Sequence, residues 1–371
     1  MSLKKQFEFI CPFGQTLRGR FAVGMNIRSR GLFSAFLLQF VSFGGNILFS
    51  LLNTGGFRVE LTVILAQKIA GLAIYIALGF LAVRLKVLTF QDSKALSTFA
   101  LYFLVPCAML DAYQYEFSME KLVGMGVSFA ASLIVVLVFA LLTAALRRPM
   151  GLNVVEYTSL EYPNAGNFML PLVAAAMGGE WVIYCSASFF VMNVLMFTHG
   201  MAVLSGQKKF SLSMLYKNVV MLANIAGLIM FLLHWQLPGL IGSTVSTLGD
   251  MMGPVYMFTI GMILGNADLK AVFTNARVWI ITFGRLLVYP AAAVLVLCFC
   301  GVFHLHPQAR EIITVVALTA GAPAAVMVTQ FAQMYRTEGE AQFASAVNIM
   351  TSVLCLATMP VISWLYQTLA Y

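Results

Sequence analysis

The hydrophobic residues of this chain fall into long runs rather than into the alternating or one-faced patterns of a soluble protein. From residue 61 onward each run is about 20 residues long, which is the length that an α-helix needs to cross the bilayer core. The runs predict ten membrane-spanning helices at 61–83, 95–113, 122–146, 152–178, 181–205, 217–235, 243–265, 277–301, 311–334 and 341–368. The pattern therefore indicates an all-α integral membrane protein.

Composition supports this reading. The chain has 371 residues, of which 61% are hydrophobic and 10% charged, whereas a soluble domain is about 45–50% apolar and about 25% charged. One membrane domain is expected, without a sizeable soluble module. The formal net charge is +8, but the basic residues lie in short loops and form no stripe with interleaved aromatics, so nucleic-acid binding is not expected.

The basic residues are concentrated in alternate loops. The loops after the first, third, fifth, seventh and ninth predicted helices contain eleven of them: Arg84, Lys86, Lys94, Arg147, Arg148, Lys208, Lys209, Lys217, Lys270, Arg277 and Arg336. The opposite loops contain only Lys121 and Arg310. Because basic loops stay in the cytoplasm, the first set is predicted to be cytoplasmic and both ends of the ten-helix core to lie outside.

Residues 1–60 precede this core as an extension. An apolar run at Leu32–Leu52 follows several basic residues, and it suggests an extra helix with its basic end inside. The alternative is translated sequence upstream of a true start near Val59.

The two halves of the core resemble one another. Residues 66–72 read AQKIAGL and residues 223–228 read ANIAGL, and prolines interrupt the fourth and ninth helices at Pro163 and Pro323. An odd number of helices in each half makes the two repeats inverted across the membrane. The predicted division is a first five-helix repeat at 61–205, a short cytoplasmic linker at 206–216 and a second repeat at 217–371.

The fourth helix carries the most informative residues. Pro163, Asn164, Asn167 and Pro171 fall near its middle, and proline removes a backbone donor and clashes with the preceding turn. Irregular backbone survives at membrane depth only where it is buried in protein or lines a wet cavity. We expect a half-helix, a break around Pro163–Asn167 and a second half-helix from near Phe168. The alternative is a simple proline kink with asparagines bonded to neighbouring helices.

The ninth helix repeats this device at Gly321, Pro323 and Ala324. Both second half-helices would begin near the midplane, where their N-termini carry partial positive charge and favour an anionic ligand. The predicted substrate site therefore consists of Pro163, Asn164, Asn167, Gly321, Pro323 and Ala324, with Asn167 as an N-cap. No catalytic or metal-ligating set is predicted.

Three charged residues within the predicted helices are candidates for ion coupling or for structural roles. Lys68 lies near the outer end of the first helix and could snorkel outward. Arg285 lies deep in the eighth helix, where a buried cation marks either a functional group or a brace to a carbonyl or acidic group. Glu161 lies beside the break and is the best candidate for carrying a proton, although an interfacial position is the alternative. Coupling to H⁺ or Na⁺ is expected, and no cofactor.

The residues that carry a family resemblance begin at the fourth helix. NAGNFMLPLVAAAMGGEW, followed by a helix ending in FTHGMAVLSG, resembles the auxin efflux carrier family, as do PVYMFTIGMIL and APAAVMVTQFAQMY in the second half. The resemblance covers about residues 61–370. It implies a five-plus-five fold whose fourth and ninth helices cross at prolines, and transport of organic anions such as auxin in plants or malonate and malate in bacteria. The short linker resembles that of bacterial members.

The leading hypothesis is thus secondary transport of a small organic anion, a dicarboxylate or an auxin-like carboxylate, by a multi-pass protein of the plasma membrane. A sodium-coupled organic-anion symporter of similar architecture is the alternative. An intramembrane enzyme is disfavoured, because the spans contain no HExxH motif or nucleophile–base pair. Expected partners are the anion, the lipid bilayer and, as one option, a second copy in a homodimer.

The topology is tested by single cysteines introduced into a background without the native ones. Cysteines near Lys86, Arg148, Lys208 and Lys270 should be protected from an impermeant thiol reagent added outside. Those near Ser118 and Gln308 should react. Equal labelling of both sets would contradict the inverted repeats.

Overall fold

A computed structural model describes residues 57–166, 168–206, 218–267, 269–301 and 304–370, and every regular element within these ranges is a helix. The extension predicted at 1–60 lies almost entirely outside the described residues. The helices are α1 Phe57–Arg84, α2 Phe90–Asp111, α3 Met119–Arg147, α4 Val154–Glu161, α5 Met169–Met177, α6 Gly179–Ser205, α7 Val219–Leu232, α8 Gly239–Asn266, α9 Leu269–Thr274, α10 Ala276–Phe299, α11 Ala309–Ala320, α12 Val326–Tyr335 and α13 Glu338–Ala370.

Six of these helices are long and apolar enough to cross a membrane, namely α2, α3, α6, α8, α10 and α13. Shorter apolar helical stretches lie at Ala70–Arg84 in α1 and along α7. Large apolar side chains such as Phe103, Leu137 and Leu141 are more than half exposed on the outside of the molecule. Such a surface is suited to hydrocarbon rather than to water, so the chain is a multi-pass membrane protein.

The helix α2 begins earlier than the apolar run predicts, at Phe90 rather than at residue 95. Its start is a capping box, in which the Asp92 carboxylate accepts from the Thr89 backbone N–H at 2.7 Å. Such a cap satisfies helix donors with polar side chains. Hydrophobicity alone therefore placed the start too late.

Two pairs of short helices confirm the interruptions predicted at Pro163 and Pro323. The first pair is α4 with 8 residues and α5 with 9, and the second is α11 with 12 and α12 with 10. At about 1.5 Å per residue, each of these helices reaches only roughly half-way through the bilayer core. Neither helix of a pair is therefore long enough to cross the bilayer core alone.

Two other prolines leave their helices unbroken. Pro106 in α2 and Pro290 in α10 each follow a π-helical turn, at Ala100–Leu104 and at Gly284–Val288. A proline ring clashes with the carbonyl four residues before it, and in both helices that carbonyl lies in the wider π turn. The second of these turns also contains Arg285.

Glycines allow α1 and α8 to pack with their backbones in contact. A Cβ added to Gly79 would lie 2.0 Å from the Phe258 carbonyl oxygen, and one added to Gly261 would lie 2.0 Å from the carbonyl oxygen of Ile76. Gly265 also faces α1, at Phe80. The Gly-x-x-x-Gly motif of α8 is thus a helix-packing surface, as such motifs commonly are in membranes.

Substitution of Gly261 by alanine should therefore destabilise the protein by about 1–3 kcal/mol, because the added methyl group forces the two backbones apart. Gly126→Ala in α3 is the matched control, since no atom lies within 4 Å of its added Cβ. That variant should melt at or above the temperature of the parent. Thermal unfolding in detergent measures both, and equal melting temperatures would contradict the close contact.

Candidate functional site

The two helix breaks cross and hydrogen-bond to each other. The Asn164 N–H donates to the Pro323 carbonyl at 2.8 Å, and the Ala325 N–H donates to the Tyr162 carbonyl at 2.9 Å. Pro163 and Ala324 form an isolated antiparallel β-bridge between these bonds. Because water is absent from the bilayer core, such pairing is what permits both helices to be interrupted there. We call residues 162–165 and 322–325 the crossover.

Side chains of α13 complete the second half of the crossover. The Ala324 N–H donates to the Thr351 hydroxyl oxygen at 3.1 Å, and the Asn348 amide nitrogen donates to the Ala324 carbonyl at 2.8 Å. Both backbone groups of Ala324 are therefore satisfied without a polar side chain at that position. Gly321 ends α11 and, like Pro323 and Ala324, it does not line the adjoining pocket.

That pocket lies against the first half of the crossover and has about 550 Å³ of atom-free space, including its mouth. Most of this space is open to the outside, and the part that a water molecule can occupy is about 50 Å³. That volume is well below the roughly 300–1,000 Å³ of typical small-molecule sites, so in this conformation the pocket is a narrow cleft. Pro163 and Asn164, two of the predicted site residues, line it together with apolar side chains. Three amide side chains contribute its polarity: Asn164, Asn193 and Asn218.

Of the three amides, that of Asn164 is the one left available. Asn193 donates to the Phe189 carbonyl at 2.8 Å, and the Asn218 oxygen caps α7 by accepting from the Val220 N–H at 2.9 Å. The Asn164 residue is only 8% exposed, yet its side chain makes no hydrogen bond to a described residue. Because Asn164 lines the pocket and its amide is not used within the described part of the chain, it is the group most suited to a ligand.

The N-terminus of α12 faces the same pocket. Val326 and Met327, its first residues, line the cavity, and no side chain in the described part of the protein caps its start at Ala325. The first N–H groups of a helix lack partners within it and carry partial positive charge. Together with the Asn164 amide they make the pocket suited to an anion.

The start of α5 is less fully described. Asn167, predicted as its N-cap, lies outside the described residues, and Phe168 occupies the cap position without a side-chain bond. Gly166 lines the pocket, where a Cβ would lie 2.3 Å from the Phe189 ring. The glycine therefore permits the chain to pass close to α6.

Arg285 is completely buried behind the crossover. Its guanidinium donates to the Leu160 carbonyl at 3.2 Å and to the Ala320 carbonyl at 2.8 Å, and it lies 5.1 Å from the centre of the Phe139 ring. Leu160 and Ala320 belong to the last turns of α4 and α11. The cation thus joins the C-terminal ends of both first half-helices, where the helix dipoles place partial negative charge.

Of the other two charged candidates, Glu161 is not among the residues that line the pocket. Glu161 is the last residue of α4, is 9% exposed and makes no hydrogen bond or ion pair with a described residue. Lys68 belongs to α1, and its side chain lies outside the described part of the chain.

Several residues of the site were missed by reasoning from the sequence. Tyr162 lines the pocket and its hydroxyl is hydrogen-bonded to His199. Asn193 on α6 also lines the pocket, and Asn348 and Thr351 on α13 bond to the backbone of Ala324. The available signal was a polar side chain within an apolar span, which usually faces the protein interior. That signal does not predict which of the two helix breaks a given polar side chain contacts.

A search of known families supports the likeness noted in the sequence. A family model described as "membrane transport protein" matches residues 64–215 and 205–364, which together span most of the chain. No curated protein matches the chain.

Arg285→Ala should destabilise the protein by about 3 kcal/mol or more, because it leaves two buried carbonyl acceptors unpaired. Arg285→Lys retains a donor and should lie between this variant and the parent in both melting temperature and transport. Arg148→Ala, at an exposed helix end, is the control and should change stability by less than about 0.5 kcal/mol. Equal melting temperatures for Arg285→Ala and Arg148→Ala would contradict the bracing contact.

Proposed function

Because the chain belongs to the membrane transport protein family, that of the auxin efflux carriers, we propose that it is a secondary active transporter of a small organic anion. The substrate class is a dicarboxylate or an auxin-like carboxylate, and the protein works in the plasma membrane by alternating access. The observation that carries this proposal is the pocket at the crossover, where the unpartnered Asn164 amide and the start of α12 face the same space.

The proposed architecture is ten membrane segments in two inverted repeats of five. Six spanning helices, α1, α7 and the two interrupted pairs supply ten segments in chain order. The interrupted pairs then occupy the fourth and ninth positions, which are equivalent in the two repeats. Repeats of this kind commonly place a substrate site at mid-depth, between discontinuous helices.

In the proposed binding mode the substrate carboxylate lies between the Asn164 side chain and the first N–H groups of α12. Hydrogen bonds to a charged group are roughly twice as strong as neutral ones. The backbone bond from Asn164 to Pro323 fixes the position of the main chain from which the side-chain amide extends. The apolar remainder of the substrate would contact Leu101, Phe189 and Met192, which also line the pocket.

Alternating access is compatible with the short half-helices. A ligand at the crossover is separated from each aqueous phase by only about half of the bilayer thickness. A modest displacement of the helices around α4–α5 and α11–α12 would therefore open one side while the other remains closed. The paired breaks would move together, because the bridge joins their backbones.

Replacement of Asn164 by alanine should weaken substrate binding by about tenfold to a hundredfold, since one hydrogen bond to a charged group is worth about 1.5–3 kcal/mol. Asn275→Ala is the matched control. Asn275 caps α10 through its side-chain oxygen, 3.0 Å from the Arg277 N–H, so its loss should lower stability by about 1 kcal/mol without changing affinity.

The measurement is a binding titration with malonate, malate and indole-3-acetate, followed by uptake of each labelled compound into proteoliposomes. Unchanged affinity in Asn164→Ala would move the site away from the crossover. If the parent protein transports none of the three carboxylates, the proposed substrate class is wrong.

A further inference from the structure

Two acidic residues of the same short helix have opposite environments. Glu156, near the start of α4, accepts from the Arg277 Nε at 2.7 Å and from the Asn153 backbone N–H at 2.9 Å. Glu161, at the end of α4, is nearly as buried and has neither a hydrogen bond nor an ion pair with a described residue. The first carboxylate thus has a structural role that the second lacks.

Four arginines on or beside the elements packed around α4 each have a partner other than Glu161, although the Nε atoms of Arg285 and Arg336 are buried without a hydrogen bond to a described residue. Arg277 pairs with Glu156, Arg147 lies over the Tyr157 ring, Arg336 donates to the Val203 carbonyl, and the terminal nitrogens of Arg285 donate to Leu160 and Ala320. The titratable groups nearest to Glu161 are Tyr157, Tyr162 and Tyr289. Beyond Tyr162 lies His199, which is hydrogen-bonded to its hydroxyl.

The position of Glu161 disfavours its ionised form for two independent reasons. Burial of a charge without a partner is costly. The C-terminus of a helix also carries partial negative charge, so an anion there is repelled rather than stabilised. Both effects make the neutral acid more favourable than it is in water, so the side chain is suited to binding a proton.

We propose that Glu161 binds the proton that is carried across the membrane together with the organic anion, so that the protein is a proton–anion symporter. This inference rests on the proposed function and names its coupling ion. Glu161 and Asn164 lie on either side of Tyr162 and Pro163, whose backbone forms the bridge. The proposed proton site and the proposed substrate site thus flank the same bridged segment of the chain.

The charge balance is simple. A proton from water on one side joins the Glu161 carboxylate when the anion binds, and it returns to water on the other side when the anion leaves. With a monovalent carboxylate the cycle moves no net charge. With a dicarboxylate it moves one negative charge. His199 is exposed and bonded to the hydroxyl of Tyr162, the residue after Glu161.

The test uses proteoliposomes and labelled malonate, malate and indole-3-acetate. An inward proton gradient of about one pH unit should drive accumulation of about tenfold for one proton carried with a monovalent anion. Glu161→Gln, which imitates the neutral acid, should lose this accumulation and keep exchange of internal for external substrate without a gradient. Glu156→Gln, the matched control on the same helix, should lower the melting temperature and keep gradient-driven accumulation.

Gradient-driven accumulation by Glu161→Gln equal to that of the parent would overturn the inference. So would a parent protein that exchanges substrate but does not respond to the gradient, and this result would leave the proposed function intact. Absence of exchange by the parent would remove the proposed function and the inference with it. If Glu161→Gln does not fold, proton uptake by the parent on binding substrate decides, measured in weakly buffered detergent at an alkaline pH where the free protein has Glu161 ionised. Uptake of up to one proton is expected, and none would contradict the proposal.

Discussion

The architecture depends on one constraint, which is that backbone groups at membrane depth must find partners within the protein. Two interrupted helices would each leave several donors and acceptors unpaired. Here each break donates one backbone hydrogen bond to a carbonyl of the other. The Asn164 N–H donates to Pro323, and the Ala325 N–H donates to Tyr162. Thr351 and Asn348 satisfy the groups that remain at Ala324.

The same crossing separates helix ends of opposite polarity. The first half-helices, α4 and α11, both end beside Arg285. Its guanidinium donates to one carbonyl in the last turn of each helix, where the partial negative charge lies. The N-terminus of α12 opens instead toward the pocket, beside an amide that has no partner among the described residues. A cation is therefore needed behind the crossover and an anion is favoured in front of it. The charge of the proposed substrate is thus argued from the directions of three short helices, α4, α11 and α12.

Small residues matter in this molecule because they let backbones approach. Gly261 brings α8 against α1, and Gly166 lets the chain after the crossover pass beside Phe189. The π turns before Pro106 and Pro290 have a related effect, since they keep α2 and α10 continuous across residues that would otherwise break them. The positions of the two true breaks are thus distinguished from other prolines by what surrounds them.

The sequence by itself determined the class of protein and the two breaks, because hydrophobic run length and the missing N–H of proline are local properties. It also singled out Asn164, Glu161 and Arg285 as polar groups in apolar surroundings. The groups that each of these side chains contacts were decided by the tertiary structure. Arg285 meets carbonyls 125 and 35 residues away along the chain, and such partners depend on how helices pack rather than on any local pattern. The roles of Thr351, Asn348 and Asn193 emerged for the same reason.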